Sequence, residues 1–419
     1  MSFQQGVTGL NAAGRNLDVI GNNVANASTV GAKTARAEFA DIYSRAAGGA
    51  GNSVGAGVSL ATVAQQFSQG NISSSDNPLD VAINGNGFFQ LKDPNGVLQY
   101  SRNGQFKIDN KGFVVNDQGL KLLGHSIASG SMVPGAATPI QLPTAGIPPT
   151  PTSNVKLEIN VDARSKQTFT GATPAIDIND DKTYNNATSL NVYDMKGQAV
   201  GLTYFFQKAA TDTWNVYASA NGVALNADGS GNPQPIATAV FPPDGGQPTS
   251  PLSPVLIDVP ATGVGTAAAT EPILGIKLDV TKLTQYGAVF GPTDVSQDGF
   301  PPGRLTSVAV QSNGTLMASY SSGQSEPIAK LELATFRNVQ GLQPVGGNAW
   351  TASFTSGDPV LGEPGGGNLG LLSSQSLEES NVDLTSELVN MMVAQRIYQA
   401  NAQTIKTQDS VMQTLVNLR

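Results

Sequence analysis

The side chains able to do chemistry are few and widely spread. The single histidine, His125, follows the segment NDQGLKLLG, and because the chain has no cysteine it can join neither a His/Cys metal cluster nor a thiol dyad. A serine triad would call for a G-x-S-x-G elbow ahead of a helix, and no such elbow precedes one here. Carboxylates stand side by side, Asp180 with Asp181 and Glu378 with Glu379. Glycoside hydrolysis instead needs two acids converging across a cleft from distant segments, so adjacent acids read as a solvated face. DINDDK from Asp177 and NADGSG from Asn226 resemble calcium loops, but the first lacks a sixth-position glycine, and the twelfth positions hold Thr188 and Ala237 instead of glutamate. GGAGNSVGAG at 48–57 neither follows a clear strand nor opens a helix, and it reads as a linker instead of a phosphate loop. No catalytic residue, cofactor or metal site is predicted, and the chain is not read as an enzyme.

Composition narrows the remaining classes. Charged residues make up 13% of the chain, about half of the roughly 25% usual in a soluble domain. A polar, weakly charged surface repels its own copies poorly, so self-association fits. The pI near 4.7 and the lack of any Lys/Arg cluster speak against a nucleic-acid partner. No run reaches the roughly 18 to 20 apolar residues of a membrane span, so no membrane insertion is expected. The N-terminus has no charge before Arg15 and no continuous apolar stretch, so no cleaved secretory signal is expected and export would use another route.

The elements that must position any function are helices at the two ends. Phe3, Val7, Leu10, Leu17 and Val24 recur at three- and four-residue steps, with Ala13 and Ile20 beside them, which predicts an amphipathic N-terminal helix. At the other end Leu384, Leu388, Met391, Tyr398, Ala402, Ile405, Met412 and Val416 form a second stripe, broken at Gln395 and Asp409, with Asn381 or Asp383 as its cap. Between them the chain reads as β structure. FFQLKDPNGVLQYSRNGQFKIDNKGFVVNDQGLKLLG alternates short apolar runs with PNG, RNG, DNKG and NDQG turns, where Asn and Gly supply positive φ. VKLEINVDA puts Val155, Leu157, Ile159 and Val161 on one face and starts a second hairpin set, and RLTSVAVQSNGTLMASYSSGQ starts a third.

The predicted fold class is therefore mainly β with α-helical termini: discontinuous, nested β domains plus an N/C-terminal α-helical coiled-coil domain. The expected division is 1–32 with 375–419 for the helices, 33–70 with 358–374 as linker, 71–145 with 285–357 for a first β domain, and 146–284 for an inserted outer β domain. IPPTPTS marks the entry to the insertion, the Pro-rich stretch 241–260 is a loop within it that could not hold a central strand, and GEPGGGNLG at 362–370 is a flexible joint.

The ends also carry a resemblance. GLNAAGRNLDVIGNNVANASTVGAKTARAEFADIY, with Asn22, Asn23, Ala25, Asn26, Thr29 and Gly31, is similar to the shared N-terminal signature of the flagellar rod, hook and axial protein family. ESNVDLTSELVNMMVAQRIYQANAQTIKTQDSVMQTLVNLR resembles its C-terminal signature through Asn381, Val382, Asp383, Glu387, Gln395, Arg396, Tyr398, Asn401 and Asp409. NISSSDNPLDVAINGNGFFQL resembles the family's first β domain, and FADIY with the overall length favours the hook branch over the shorter rod proteins. The matching ends cover under a quarter of the chain, and Ala32 departs from the aromatic usual after Gly31.

This resemblance implies a structural subunit polymerising into a curved, flexible tube that carries motor torque from rod to filament. It implies a polymerisation interface made by the two stripes: Phe3, Val7, Leu10, Leu17, Ile20, Val24, Leu384, Leu388, Met391, Tyr398, Ile405, Met412 and Val416. The implied partners are further copies of the chain, the flagellar rod, the hook cap, the hook-filament junction proteins and the flagellar type III export apparatus, and the implied place is outside the cell envelope. Some hook proteins crosslink through cysteine, and this chain has none to use. Two other readings are a distal rod protein, straight where the hook is curved, and a secreted β-rich adhesin whose helices pack on its own core.

Overall fold

The computed structural model of the protein describes residues 2–42, 57–128, 131–132, 135–143, 146–169, 171, 175–227, 232–263 and 269–417. Helix α1, Ser2–Ala25, and helix α2, Leu384–Asn417, bracket a long series of strands. The chain forms two compact units, one of residues 1–144, 307–319 and 325–419, the other of residues 145–306 and 320–324.

The first unit carries both helices and a sheet in which early and late chain segments interleave. Lys121–Ala128 pairs with Ser325–Leu331, Phe88–Lys92 with Leu333–Thr335, and Leu98–Ser101 with Ala349–Thr351. The turns between its hairpins work as their sequences require. Asp109 Oδ1 accepts from the amides of Lys111 and Phe113, Asn116 Oδ1 accepts from those of Gln118 and Leu120, and Gly96, Gly112 and Gly119 take positive φ. The RNG sequence differs from expectation, because Gly104 does not take positive φ. A Cβ there would overlap the carbonyl of Val81, so this glycine serves a close backbone approach and not a turn. Phe88, Tyr100, Phe336 and Trp350 fill the core beneath, with Tyr100 and Phe336 edge to face at 4.8 Å between centroids.

The second unit is a sandwich of two five-stranded sheets. Val155, Leu157, Ile159 and Val161 alternate inward along Asn154–Asp162 and meet Leu202, Tyr204, Phe206, Trp214 and Val216 of the opposite sheet in one apolar core. Trp214 is fully buried and donates its indole N–H to Gln285 Oε1 at 2.8 Å, while Gln285 donates to Asp212 at 2.6 Å. Val255–Val259, in the Pro-rich stretch, is a strand at the edge of its sheet, where proline-flanked segments are tolerated.

Three expectations are corrected. The insertion does not end at 284. Thr284–Tyr286 pairs in parallel and Gly291–Gln297 in antiparallel fashion with Asn154–Asp162, and Ile147 and Thr150 bridge to Gly303 and Phe300, so the unit runs on to 306. The expected linker 33–70 holds an antiparallel hairpin, Ala35–Asp41 with Val58–Gln65, and Ile72–Ser74 just past it pairs with Ser376–Glu378. Of the GGAGNSVGAG linker, residues 48–56 lie outside the described residues, as do 228–231 of NADGSG. The glycine-rich joint at 362–370 is pinned by hydrogen bonds from the Gly365 amide to the Gly370 carbonyl and from the Gly370 amide to the Asn86 carbonyl.

These pairings set a test. A fragment of residues 145–306 should melt as one cooperative transition by circular dichroism. A fragment of 146–284, deprived of the strand that runs along most of Asn154–Asp162, should not. Within the longer fragment Trp214→Ala should cost about 3–5 kcal/mol. Equal melting of the two fragments would restore the boundary at 284.

Candidate polymerisation interface

Helix α2 begins at Asp383, whose Oδ1 accepts from the amides of Thr385 at 2.9 Å and Ser386 at 3.2 Å, and whose Oδ2 accepts from the Ser386 hydroxyl at 2.9 Å. These bonds, those from Ser386 first, hold the Asp383 carboxyl below the usual carboxylate range. Asn381, the other candidate cap, is occupied elsewhere.

The helices pair antiparallel within the first unit. A Cβ on Gly6 would stand 3.1 Å from Ile405 Cγ1, one on Gly9 would stand 2.9 Å from Asn401 Oδ1, and Asn23 Nδ2 donates to Glu387 Oε1 at 3.2 Å. Small residues make the seam: Gly6, Gly9 and Ala13 on α1 recur at steps of three and four, and Ala394 on α2 is buried. Such residues let two helices approach closely, and Asn401 and Ile405 of α2 fill the groove that Gly6 and Gly9 leave on α1.

The predicted stripe residues therefore divide. Ile20 is buried, and Val7, Leu10, Leu17, Val24, Met391 and Ile405 are half-buried. Leu384, Leu388, Tyr398 and Met412 are 39–60% exposed. The side chains of Phe3 and Val416 lie outside the described residues. Sequence reasoning also missed Val389, Met392, Val393 and Ile397, which are exposed as well and make α2 apolar on more than one face. Their signal was present, since a helix apolar on several sides is one with neighbours on several sides. The seam had its own signal in Gly6, Gly9 and Ala13, which a search for large apolar residues passes over.

Where the helices join the strands, polar side chains take over. Glu378 Oε1 accepts from Lys33 Nζ at 2.6 Å and from the Gly70 amide at 3.0 Å, and Oε2 accepts from Arg102 Nη1 at 3.1 Å. Lys33 Nζ also donates to the Ser68 carbonyl at 2.8 Å. Asn381 Oδ1 accepts from the amide and hydroxyl of Thr34, and its Nδ2 donates to the carbonyls of Gln66 and Ser68. Asn23 bonds both the carbonyl and the amide of Ala35. Burial pulls the pKa of Lys33 and of Arg102 below their ordinary values, against the opposing pull of Glu378. The reading of Glu378 and Glu379 as a solvated face is thus half wrong: Glu379 is exposed and Glu378 is wholly buried, because neighbouring residues of an extended segment point to opposite sides.

The residues weighed for chemistry do not converge. His125 Nε2 lies 3.5 Å from Glu332 Oε1, and Asp177 and Asp180 accept from backbone amides of their own turn. Among the described residues no cluster of His, Asp and Glu could hold a metal ion, and no helix is long and apolar enough to cross a membrane.

With a helix at each end, paired through small residues and rooted in a nested β unit, the chain has the build of a flagellar axial subunit. Comparison with known proteins agrees: residues 3–33 match the flagella basal body rod protein family, residues 373–418 the C-terminal family of the flagellar basal body rod FlgEFG proteins, and residues 130–300 the flagellar basal body protein FlaE D2 domain. Over its whole length the chain is 39% identical to the flagellar hook protein FlgE of Escherichia coli K12, covering 100% of that protein. It is 31% identical to that of Brucella suis and 30% identical to that of Borreliella burgdorferi, over 98% and 99% of those proteins. The chain belongs to the flagellar hook protein family, a family of structural proteins.

The Asp383 cap yields a pH prediction. A carboxyl whose folded pKa is depressed stabilises the helix above its unfolded value, near 3.9, and that contribution is lost as pH falls through the lower folded value. The amide NMR signals of Thr385 and Ser386 should therefore shift toward those of a frayed helix start only below about pH 4. In Asp383→Asn, whose cap does not titrate, this shift should vanish. An identical acid shift in both proteins would exclude Asp383 as its source.

Proposed function

We propose that copies of this chain polymerise through the outward faces of the α1–α2 pair, as the structural subunit of a curved, flexible hook. That tube passes motor torque from rod to filament as a universal joint. The observation that carries this reading is the apolar surface left open on α2 at Leu384, Leu388, Val389, Met392, Val393 and Ile397. Roughly half of each side chain remains to be buried, so full burial would add about 0.7–1.5 kcal/mol apiece and together about 4–9 kcal/mol per subunit. In this role the two helices are the polymerising part of the chain. No catalytic step belongs to the reading.

The same reading places the protein outside the cell envelope in the hook and basal body, reached through the flagellar type III export apparatus without a cleaved signal peptide. Its neighbours there are the rod, the hook cap and the hook-filament junction proteins. A curved tube in electron micrographs separates this reading from a straight distal rod, and a chain monomeric at every concentration would favour an adhesin.

Leu388→Asp tests it. In the dilute chain Leu388 is already 45% exposed, so both β units should melt as in the parent. In the polymer the change forfeits the ~0.7–1.5 kcal/mol that burying the exposed half of Leu388 adds and brings the penalty of an unpaired buried carboxylate, several kcal/mol more. Sedimentation and microscopy should find folded chains that build no tubes, and cells carrying the variant should not swim. Normal tubes from Leu388→Asp protein would remove α2 from the interface.

A further inference from the structure

The contact between the helix pair and the first β unit is built around one carboxylate. Through Lys33 Glu378 holds the exit from α1, through the Gly70 amide the segment after the hairpin, and through Arg102 the sheet, and it stands itself on the approach to α2. Its own carbonyl accepts from the Gly31 amide at 2.8 Å.

Two features set this arrangement apart from an ordinary ion pair. Cations outnumber the anion, since Lys33 and Arg102 share Glu378, and Arg102 Nε is buried with no hydrogen-bond partner among the described residues. Moving the carboxylate away from either cation would strand a buried charge, so its position is narrowly determined. The surrounding backbone leaves no slack either. A Cβ on Gly31, at φ +70°, would stand 2.7 Å from the Asn103 amide nitrogen, and one on Gly70 would stand 2.1 Å from the Glu379 carbonyl oxygen. Apolar side chains of equal area could slide past one another, whereas hydrogen bonds to fixed backbone atoms cannot.

We propose that Glu378 is a positioning residue for assembly: it fixes the direction in which the α1–α2 pair leaves the first β unit, and hence the form of the tube that copies build. The proposal rests on the polymer reading above. Replacing a buried charged triad by apolar residues is often neutral for stability. Stability and direction can therefore be separated.

The test compares three full-length chains: the parent, Glu378→Asp, and the triple variant Lys33→Met, Arg102→Met, Glu378→Met. Each is measured by thermal melting of the purified protein, by the helical repeat of tubes sheared from cells, and by swimming. Glu378→Asp keeps the charge but is one methylene too short to reach both cations without moving its segment. It should still fold, melting below the parent because one cation is left short of its partner, yet give tubes of changed repeat or none, with loss of swimming. The triple variant should also fold and show the same shift. Parental tubes from either folded variant would overturn the proposal. So would failure of both variants to fold, because the charges would then hold the fold and not its direction. A parent that builds no tubes would instead sink the polymer reading itself, an outcome distinct from all of these.

Discussion

The meeting of the two chain ends is the constraint on which the rest of this molecule depends. Asn23 and Glu387 touch across 364 residues of sequence, and closing a flexible loop of that length costs roughly 5 kcal/mol in its logarithmic term alone. The fold reaches this contact by nesting. Strands of the first unit pair early with late segments, Ser126 opposite Ala329 and Ile72 opposite Glu378, so each outer pairing closes over one already made. Once Ser376–Glu378 lies beside Ile72–Ser74 and Glu378 holds Lys33, the end of α1 and the start of α2 are brought near each other. The ordering entropy left for them is that of the helices themselves. A whole unit can then be inserted in the middle of the chain without disturbing the ends, because both of its connections run side by side through the Ile147–Gly303 and Thr150–Phe300 bridges.

Much of this was legible in the sequence, and what was not has identifiable causes. The turns at Asp109 and Asn116 and the inward alternation of Val155 to Val161 are local signals, and local geometry fixed them. The parallel pairing of Asn154 with Lys277 is not local: it joins segments more than a hundred residues apart, and nothing in either one names the other. That pairing, with the return of Gly291–Gln297, moved the unit boundary from 284 to 306. The two helices were legible as elements and only partly as surfaces. The stripes of large apolar residues were read as the interface between copies, and the glycine and alanine positions at which α1 meets α2 were passed over. Glu378 was misread for a related reason, because a carboxylate declares its burial only through partners 345 and 276 residues away.

The division between small and large residues on the helices has a physical logic. An antiparallel pair packed over Gly6, Gly9 and Ala13 is narrow, so that apart from Ile20 its large apolar side chains stay half-buried or exposed. α2, with 34 residues against 24 for α1, also outruns its partner, so Val411 and Met412 stand exposed near its end. The second unit shows the opposite arrangement. Its two sheets face their apolar residues toward each other and complete a core without outside help. The helix pair has no such enclosed core of its own, and a run of apolar side chains along α2 is left for further copies to cover.

The kinds of contact also differ in what they permit under load. Apolar faces such as that of α2 attract without direction, and neighbouring surfaces of this kind can shift by small steps while staying buried. The root of the helix pair is directional throughout, with Asn23, Lys33, Glu378 and Asn381 each bonded to backbone or to an opposite charge. A bending tube needs both properties in each subunit: interfaces that tolerate displacement between copies, and a joint within the copy that does not yield. Sparse surface charge suits the first, since 13% charged residues leave few ion pairs to break as surfaces move. Buried, paired charge suits the second, because displacing Glu378 exposes two cations to an interior that cannot solvate them.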